Sequence, residues 1–117
     1  MEANELRLGN YVKIDGTNQT IDNNIMFDYD EGAWYVDDIH LSLVNPVLLT
    51  LEILIKSEFY KYYGFPYFNE ILYQKGAWFK LKAVEGGFEW EGFPFKYIHE
   101  LQNLYFGLRR EELTIKL

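Results

Sequence analysis

Turn-forming residues recur about every eight to twelve positions along this chain, in two blocks. One strongly helical segment separates the blocks and another follows the second. Two blocks of short strands and two helices make an α+β fold, in which the helices pack on antiparallel sheet. The chain is 117 residues long, which suits one domain spanning 1–117. No Ser/Gly/Pro-rich linker, low-complexity run or internal repeat divides it.

In the first block Leu6, Leu8, Val12 and Ile14 alternate with Arg7, Gly9, Tyr11 and Lys13, the period of a half-buried strand. Asp15-Gly16 closes it with a pair suited to positive backbone angles. A weaker strand is expected around residues 21–29, a turn at Asp30-Glu31-Gly32, and an extended stretch over 33–44. Whether this block closes as a small sheet or a partial barrel is open.

The middle helix is predicted over about 50–63. Thr50 is its cap, and Leu51, Leu54, Ile55, Phe59 and Tyr62 form one stripe. Gly64 stands where a left-handed residue ends a helix, with Phe65 folding back on the last turn. Asn45 and Pro46 offer another start, but Val47-Leu48-Leu49 reads as extended chain.

The second block reads as a three-stranded meander. With Lys75-Gly76 and Gly86-Gly87 as two-residue loops, Leu72 faces Phe79, Tyr73 faces Trp78, Ala83 faces Trp90 and Lys82 faces Glu91. One face then collects Leu72, Phe79, Leu81, Ala83, Phe88 and Trp90; the other collects Lys80, Lys82, Glu89 and Glu91. Tyr97, Ile98, Leu101, Leu104, Tyr105 and Leu108 form the stripe of a helix over 97–108, and 112–117 is predicted as a short strand.

Charge narrows the partners. Residues 1–50 hold nine acids against Arg7 and Lys13, residues 51–117 nine of each sign, and the net charge is −7. Such a field repels a phosphate backbone, so direct nucleic-acid binding is not expected. It attracts a basic partner or imitates a polyanion, and Asp28, Asp30, Asp37 and Asp38 are its candidate contact residues. The plainer account is that acids on turns keep an aromatic-rich domain soluble. No apolar run approaches the roughly 18 residues of a membrane span, and no basic-then-apolar stretch opens the chain. A cytoplasmic protein with no membrane contact is the expectation.

Chemistry is narrowed by exclusion. The chain has no cysteine, which removes thiol catalysis and Cys-based zinc sites. His40 and His99 are the only histidines, no H-x-x-x-H spacing exists, and His40 with Asp38 supplies at most two ligands. Asp28-Tyr-Asp30-Glu-Gly32 has the outline of a calcium loop, but the glycine comes one place early and no bidentate Glu closes it. Ser42 and Ser57 lack a nucleophile-elbow context, and no glycine pair forms a phosphate cradle. No metal, cofactor or catalytic residue is assigned.

One polar arrangement stands out. His99, Gln102, Asn103 and Phe106 lie at i, i+3, i+4 and i+7, beside the apolar stripe of the last helix. They offer a recognition face with an exposed Phe, or else side chains that hydrogen-bond loops and strand ends of the same domain. Tyr60, Tyr62, Tyr63, Phe65, Tyr67 and Phe68 crowd the predicted exit of the middle helix, more than one face can bury, and point to an oligomer or partner interface.

Two stretches carry a resemblance. Glu5-Leu-Arg-Leu-Gly-Asn-Tyr-Val12, and Lys96-Tyr-Ile-His-Glu-Leu-Gln-Asn-Leu-Tyr-Phe106 followed by Glu111-Glu-Leu113, resemble a family of small uncharacterised proteins of Bacteroidetes genomes, often within phage or other mobile elements. Its middle pattern, L-T-E-E-x-L, is similar to Leu49-Thr-Leu-Glu-Ile-Leu54. The resemblance implies a lineage and a genomic setting but no activity. Arg109-Arg110 stand where the family pattern has Thr-Gly, which removes the glycine that would end the helix; Leu51 stands where it has Glu.

The expectation is a non-enzymatic module that binds a protein partner, or itself, through acidic and aromatic surfaces. The alternatives are a small enzyme or small-ligand protein using the His99, Gln102 and Asn103 face, and an acidic mimic of nucleic acid.

Overall fold

The computed structural model describes residues 1–63, 71–76 and 79–117. In chain order the elements are a 3-10 turn Ala3–Glu5, β1 Tyr11–Ile14, β2 Thr17–Thr20, β3 Ile25–Asp28, β4 Ala33–Val36, β5 Ile39–His40, a 3-10 turn Leu41–Leu43 and β6 Val44–Pro46. There follow α1 Leu51–Lys56, β7 Tyr60–Tyr63, β8 Ile71–Lys75, β9 Phe79–Val84, β10 Gly87–Trp90, β11 Phe93–Phe95 and α2 Ile98–Arg109. The fold is α+β with antiparallel sheets. The residues form two compact units: Met1–Leu48 with Tyr97–Leu113, and Leu49–Lys96 with Thr114–Leu117.

The first unit holds two three-stranded sheets, ordered β2-β1-β6 and β3-β4-β5. Ile14 pairs with Thr17, so Asp15-Gly16 is the two-residue loop the sequence predicts, with both residues at positive φ. β2 itself, Thr-Asn-Gln-Thr, has no apolar residue to announce it and is exposed throughout. Asp37 and Asp38, both at positive φ, make the loop between β4 and β5. Val12, Ile14, Ile21, Val36 and Val44 form the core here, with Leu6, Ile25, Ile39 and Leu41 packed against it. Leu8 is exposed, because Gly9 at φ +92° breaks the extended chain before β1 begins.

The second unit is a five-stranded meander, β11-β10-β9-β8-β7, rather than a three-stranded one. Its buried side chains include Leu49, Leu54, Phe59, Tyr73, Phe79, Leu81 and Phe88. Phe79, Leu81, Ala83, Phe88 and Trp90 share a face as predicted, but the registers differ. Tyr73 pairs with Leu81 and Leu72 with Lys82, so Tyr73 takes the inward place expected of Leu72. A longer loop causes the slip, since Lys75 already pairs with Phe79; Trp78 lies outside the described residues. Between β9 and β10 the loop is Glu85-Gly86 and Val84 pairs with Gly87, a shift of two that leaves every side chain on its face. A Cβ on Gly87 would overlap the Phe95 carbonyl oxygen, so the approach of β11 requires glycine inside this strand.

The middle helix is half the predicted length. Thr50 caps it, its hydroxyl accepting the Ile53 N–H at 3.2 Å, but α1 ends at Lys56. Glu58 takes a left-handed φ of 70°, Phe59 N–H bonds Leu54 O at 3.0 Å, and Glu58 N–H bonds Ile55 O at 3.2 Å. That is a Schellman ending, with buried Phe59 placed over buried Leu54. Tyr60–Tyr63 then pairs with β8. The Gly64 and Phe65 ending lies outside the described residues.

The predicted C-terminal strand does not form. Leu113 is buried in the first unit, and in the second Lys116 N–H donates to the Ser57 hydroxyl at 2.9 Å, so a side chain replaces a ladder partner. α2 forms as predicted and ends on Arg110, whose φ is 60° and whose N–H bonds Phe106 O at 2.8 Å. An arginine here keeps the geometry a glycine would adopt freely. Arg110→Gly is therefore expected to stabilise the fold by about 0.5–1 kcal/mol. A raised urea midpoint with an unchanged slope would show it, whereas a lowered midpoint would mean that the arginine side chain matters more than its backbone strain.

Candidate functional site

The polar stripe of α2 faces the chain just before β1. The Gln102 side-chain amide accepts the Tyr11 N–H at 2.7 Å and donates to Gly9 O at 3.1 Å. It thus takes the place of a neighbouring peptide group where β6 has ended, its last pair being Val12 with Pro46. Asn103 Nδ2 donates to Glu5 O at 2.7 Å, while its Oδ1 accepts from Asn10 Nδ2 at 2.8 Å and Arg7 Nε at 3.2 Å. Asn10 is fully buried, and its Oδ1 takes the Arg7 N–H at 2.7 Å. Arg7 bridges to Glu112 and lays its guanidinium 4.1 Å from the centre of the Phe106 ring.

The face expected to offer amides and an exposed Phe thus spends its amides within its own unit, and Phe106 is half-buried beneath Arg7. The chain from Glu5 to Tyr11 and the α2 residues Gln102, Asn103 and Phe106 meet here. If the role is structural, Gln102→Ala strands a backbone donor and acceptor and costs about 1–3 kcal/mol. Urea unfolding measures this, and an unchanged midpoint would return Gln102 to the list of recognition residues.

His99 lies on the same helix with 1% of its surface exposed and no hydrogen-bond partner for either ring nitrogen. Glu5 Oε2 lies 3.7 Å from its Nε2, and the Tyr97 ring stacks on it at 6.0 Å. Burial holds the imidazole below the ordinary histidine range; the Glu100 and Glu5 carboxylates oppose this and the N-terminal amine adds to it. The unfolded chain therefore binds more protons as pH falls through about 6.5. Stability from neutral His99 is complete above that pH and is lost as pH drops toward the depressed folded value. Unfolding midpoints measured between about pH 7.5 and 5 should decline, and less steeply in His99→Phe.

The acids of the first half are largely turn builders. Asp37 receives three backbone N–H groups, from Asp22 at 2.9 Å, Asn23 at 2.7 Å and Asn24 at 3.0 Å. Partial burial works against its charge, yet these donors together outweigh it and hold the carboxyl below its usual range. Asp28 Oδ1 accepts from Asp30 N at 2.9 Å and Glu31 N at 3.2 Å, tying the turn after β3. Asp30 and Asp38 are exposed on turns. Neutralising all four would remove turn bonds together with charge.

What the structure leaves open is the β3–β4 hairpin. The pairs Met26 with Tyr35 and Phe27 with Trp34 place Met26, Asp28, Tyr35 and His40 on one face, and Ile25, Phe27, Trp34 and Val36 on the other. Ile25 and Val36 reach the core, whereas Phe27, Trp34 and Tyr29 extend toward the tip as a cluster with ring centres 5.0 and 5.3 Å apart. Met26 is 45% exposed, Trp34 40% and Tyr29 88%. On the outer face Met26, Asp28, Glu31, Tyr35 and Asp38 line a shallow groove of about 290 Å³. The Tyr35 hydroxyl donates to Glu31, which raises the phenol above its usual range.

Sequence reasoning placed the acids on this hairpin but missed Met26, Tyr29 and Trp34 as exposed neighbours. The signal for Met26 was available, since alternation along β3 puts it opposite the core face of Ile25 and Phe27. Of the aromatic crowd expected further on, Tyr60 is exposed, Tyr62 and Tyr63 belong to β7, and Phe65, Tyr67 and Phe68 lie outside the described residues. His40 Nδ1 accepts the Ser42 N–H at 3.1 Å and caps the turn Leu41–Leu43. Among the described residues no three His, Asp or Glu converge as a metal site, and no helix is long and apolar enough to cross a membrane. Compared with protein-family models, curated proteins and solved structures, the chain finds no match.

Proposed function

We propose that this chain is a non-enzymatic, cytoplasmic interaction module, encoded by a phage or mobile element, that binds a protein partner through the β3–β4 hairpin. The observation that carries the reading is the exposure of both faces of that hairpin: Met26 lies with Asp28, Glu31, Tyr35 and Asp38 along the groove of one face, and Trp34, with Tyr29 against Phe27, is exposed on the other. Interface cores favour aromatic residues and Met, and surrounding charge steers a partner of opposite sign. The side chains best suited to small-molecule chemistry, Gln102, Asn103 and His99, are bonded or buried within the fold, which favours a binding module over a small enzyme. The genomic setting rests on the resemblance of the two terminal stretches.

The test is capture of partners from host extract by the wild-type chain and by the triple variant Met26→Ser, Tyr29→Ser, Trp34→Ser, at low and high salt. A stoichiometric protein held by the wild type, weakened at high salt and lost by a triple variant of unchanged unfolding midpoint, is the expected result. Equal capture by both proteins would remove the hairpin from the binding surface.

A further inference from the structure

Most free sheet edges among the described residues are guarded. β2 is wholly polar, β5 has two residues, β6 carries Pro46, β7 carries Lys61 and β11 carries Pro94. Short length, polarity, proline and lysine are the means by which sheets discourage edge pairing. The free edge of β3, Ile25-Met-Phe-Asp, is as short as β2 and β7, but it is apolar over its first three residues and carries neither proline nor lysine.

Its open hydrogen-bonding groups can be assigned. Asp37 N–H bonds Asn24 O at 2.9 Å, so position 24 points toward β4. Antiparallel ladders alternate, so 26 and 28 do the same, and the N–H and C=O of Ile25 and Phe27 point to the free edge. A strand added there would place alternate side chains beside Ile25 and Phe27 on the apolar face, and the others beside Met26 and Asp28 on the face shared with Glu31 and Asp38.

Resting on the reading of this hairpin as the contact surface, we infer that the free edge of β3 takes up an extended peptide segment of alternating apolar and basic residues as a further strand. Ile25 and Phe27 supply its main-chain hydrogen bonds, and Asp28, Glu31 and Asp38 receive its basic side chains. The acidic balance selects this occupant over a second copy of the chain. Antiparallel pairing of two β3 edges would set each Asp28 near its counterpart's hairpin, and each chain carries a net charge of −7. Edge addition of this kind draws affinity from main-chain bonds and specificity from alternate side chains.

The probe is an end-capped octapeptide of alternating valine and lysine, followed by fluorescence anisotropy and by amide hydrogen exchange of the whole chain. Binding should weaken with salt and protect the Ile25 and Phe27 amides, with little change at Met26, which already faces β4. N-methylation of the peptide on one hydrogen-bonding edge should weaken binding at least about tenfold, and on the other edge little. Asp28→Asn with Asp38→Asn keeps the turn acceptors and should weaken binding about three- to tenfold. Equal binding of a valine–glutamate peptide, indifference to N-methylation on either edge, or no binding would overturn the inference, as would self-association through β3 in sedimentation. If the triple serine variant loses its captured partner but N-methylation has no effect, only strand addition fails. If that variant captures as well as the wild type, the hairpin reading fails with it.

Discussion

The amides of Gln102 and Asn103 hold the chain before β1 in place, and the order of the first unit follows from that. Tyr11 lies one residue beyond the last pair with β6, so its N–H would be left open on the side where the ladder stops. Gln102 fills that position with a peptide-like group, while Asn103 and the buried Asn10 fix the turn that leads in. The exposed Arg7–Glu112 pair is the more conspicuous contact, yet surface ion pairs are worth about 0–1 kcal/mol. Stranding a part-buried amide donor and acceptor costs more, about 1–3 kcal/mol. The neutral bonds decide the geometry and the ion pair covers them. These residues thus serve to close the fold, and their arrangement says little about an activity.

The negative charge has a similar double life. Asp15, Asp37, Asp38 and Glu91 occupy left-handed positions in hairpin loops, and Asp28 and Asp37 accept backbone N–H groups. Acidic residues were needed at several of these turns whatever the protein binds. Charge alone is thus a weak sign of a partner. It gains weight where it surrounds exposed apolar side chains with no base among them, as on the β3–β4 hairpin.

Much of the architecture was legible because period-two alternation and two-residue loops leave few registers open; the Asp15-Gly16 hairpin, the shared face from Phe79 to Trp90 and the extent of α2 follow from them. The ends of helices were harder to read for a common reason. Both α1 and α2 stop on a left-handed residue that is not glycine, Glu58 and Arg110, so the usual punctuation is missing. In α1 this hid the change to strand, because Phe59 to Tyr63 satisfy a helical stripe and a β propensity equally well. The register of β8 was hidden by a loop one residue longer than its glycine suggested. At the candidate site the sequence named the polar stripe of α2 but could not say whether its amides faced solvent or Gly9 and Tyr11, which lie some ninety positions away in the chain.

Sheet edges supply the last link from fold to function. An unpaired strand presents donors and acceptors that any extended chain can satisfy, so an apolar edge without proline or lysine invites association. Among the described residues most edges are shortened, made polar or interrupted, and the Asp37 carboxylate even closes the loop at the start of β3 by taking the N–H groups of residues 22–24. That closure stops at Asn24. From Ile25 to Phe27 the edge is apolar, and it ends in an acidic turn. In the proposed strand addition the flanking acids have two effects: they disfavour a second copy of the chain and favour a basic segment, so one charge would both guard the edge and select what it pairs with.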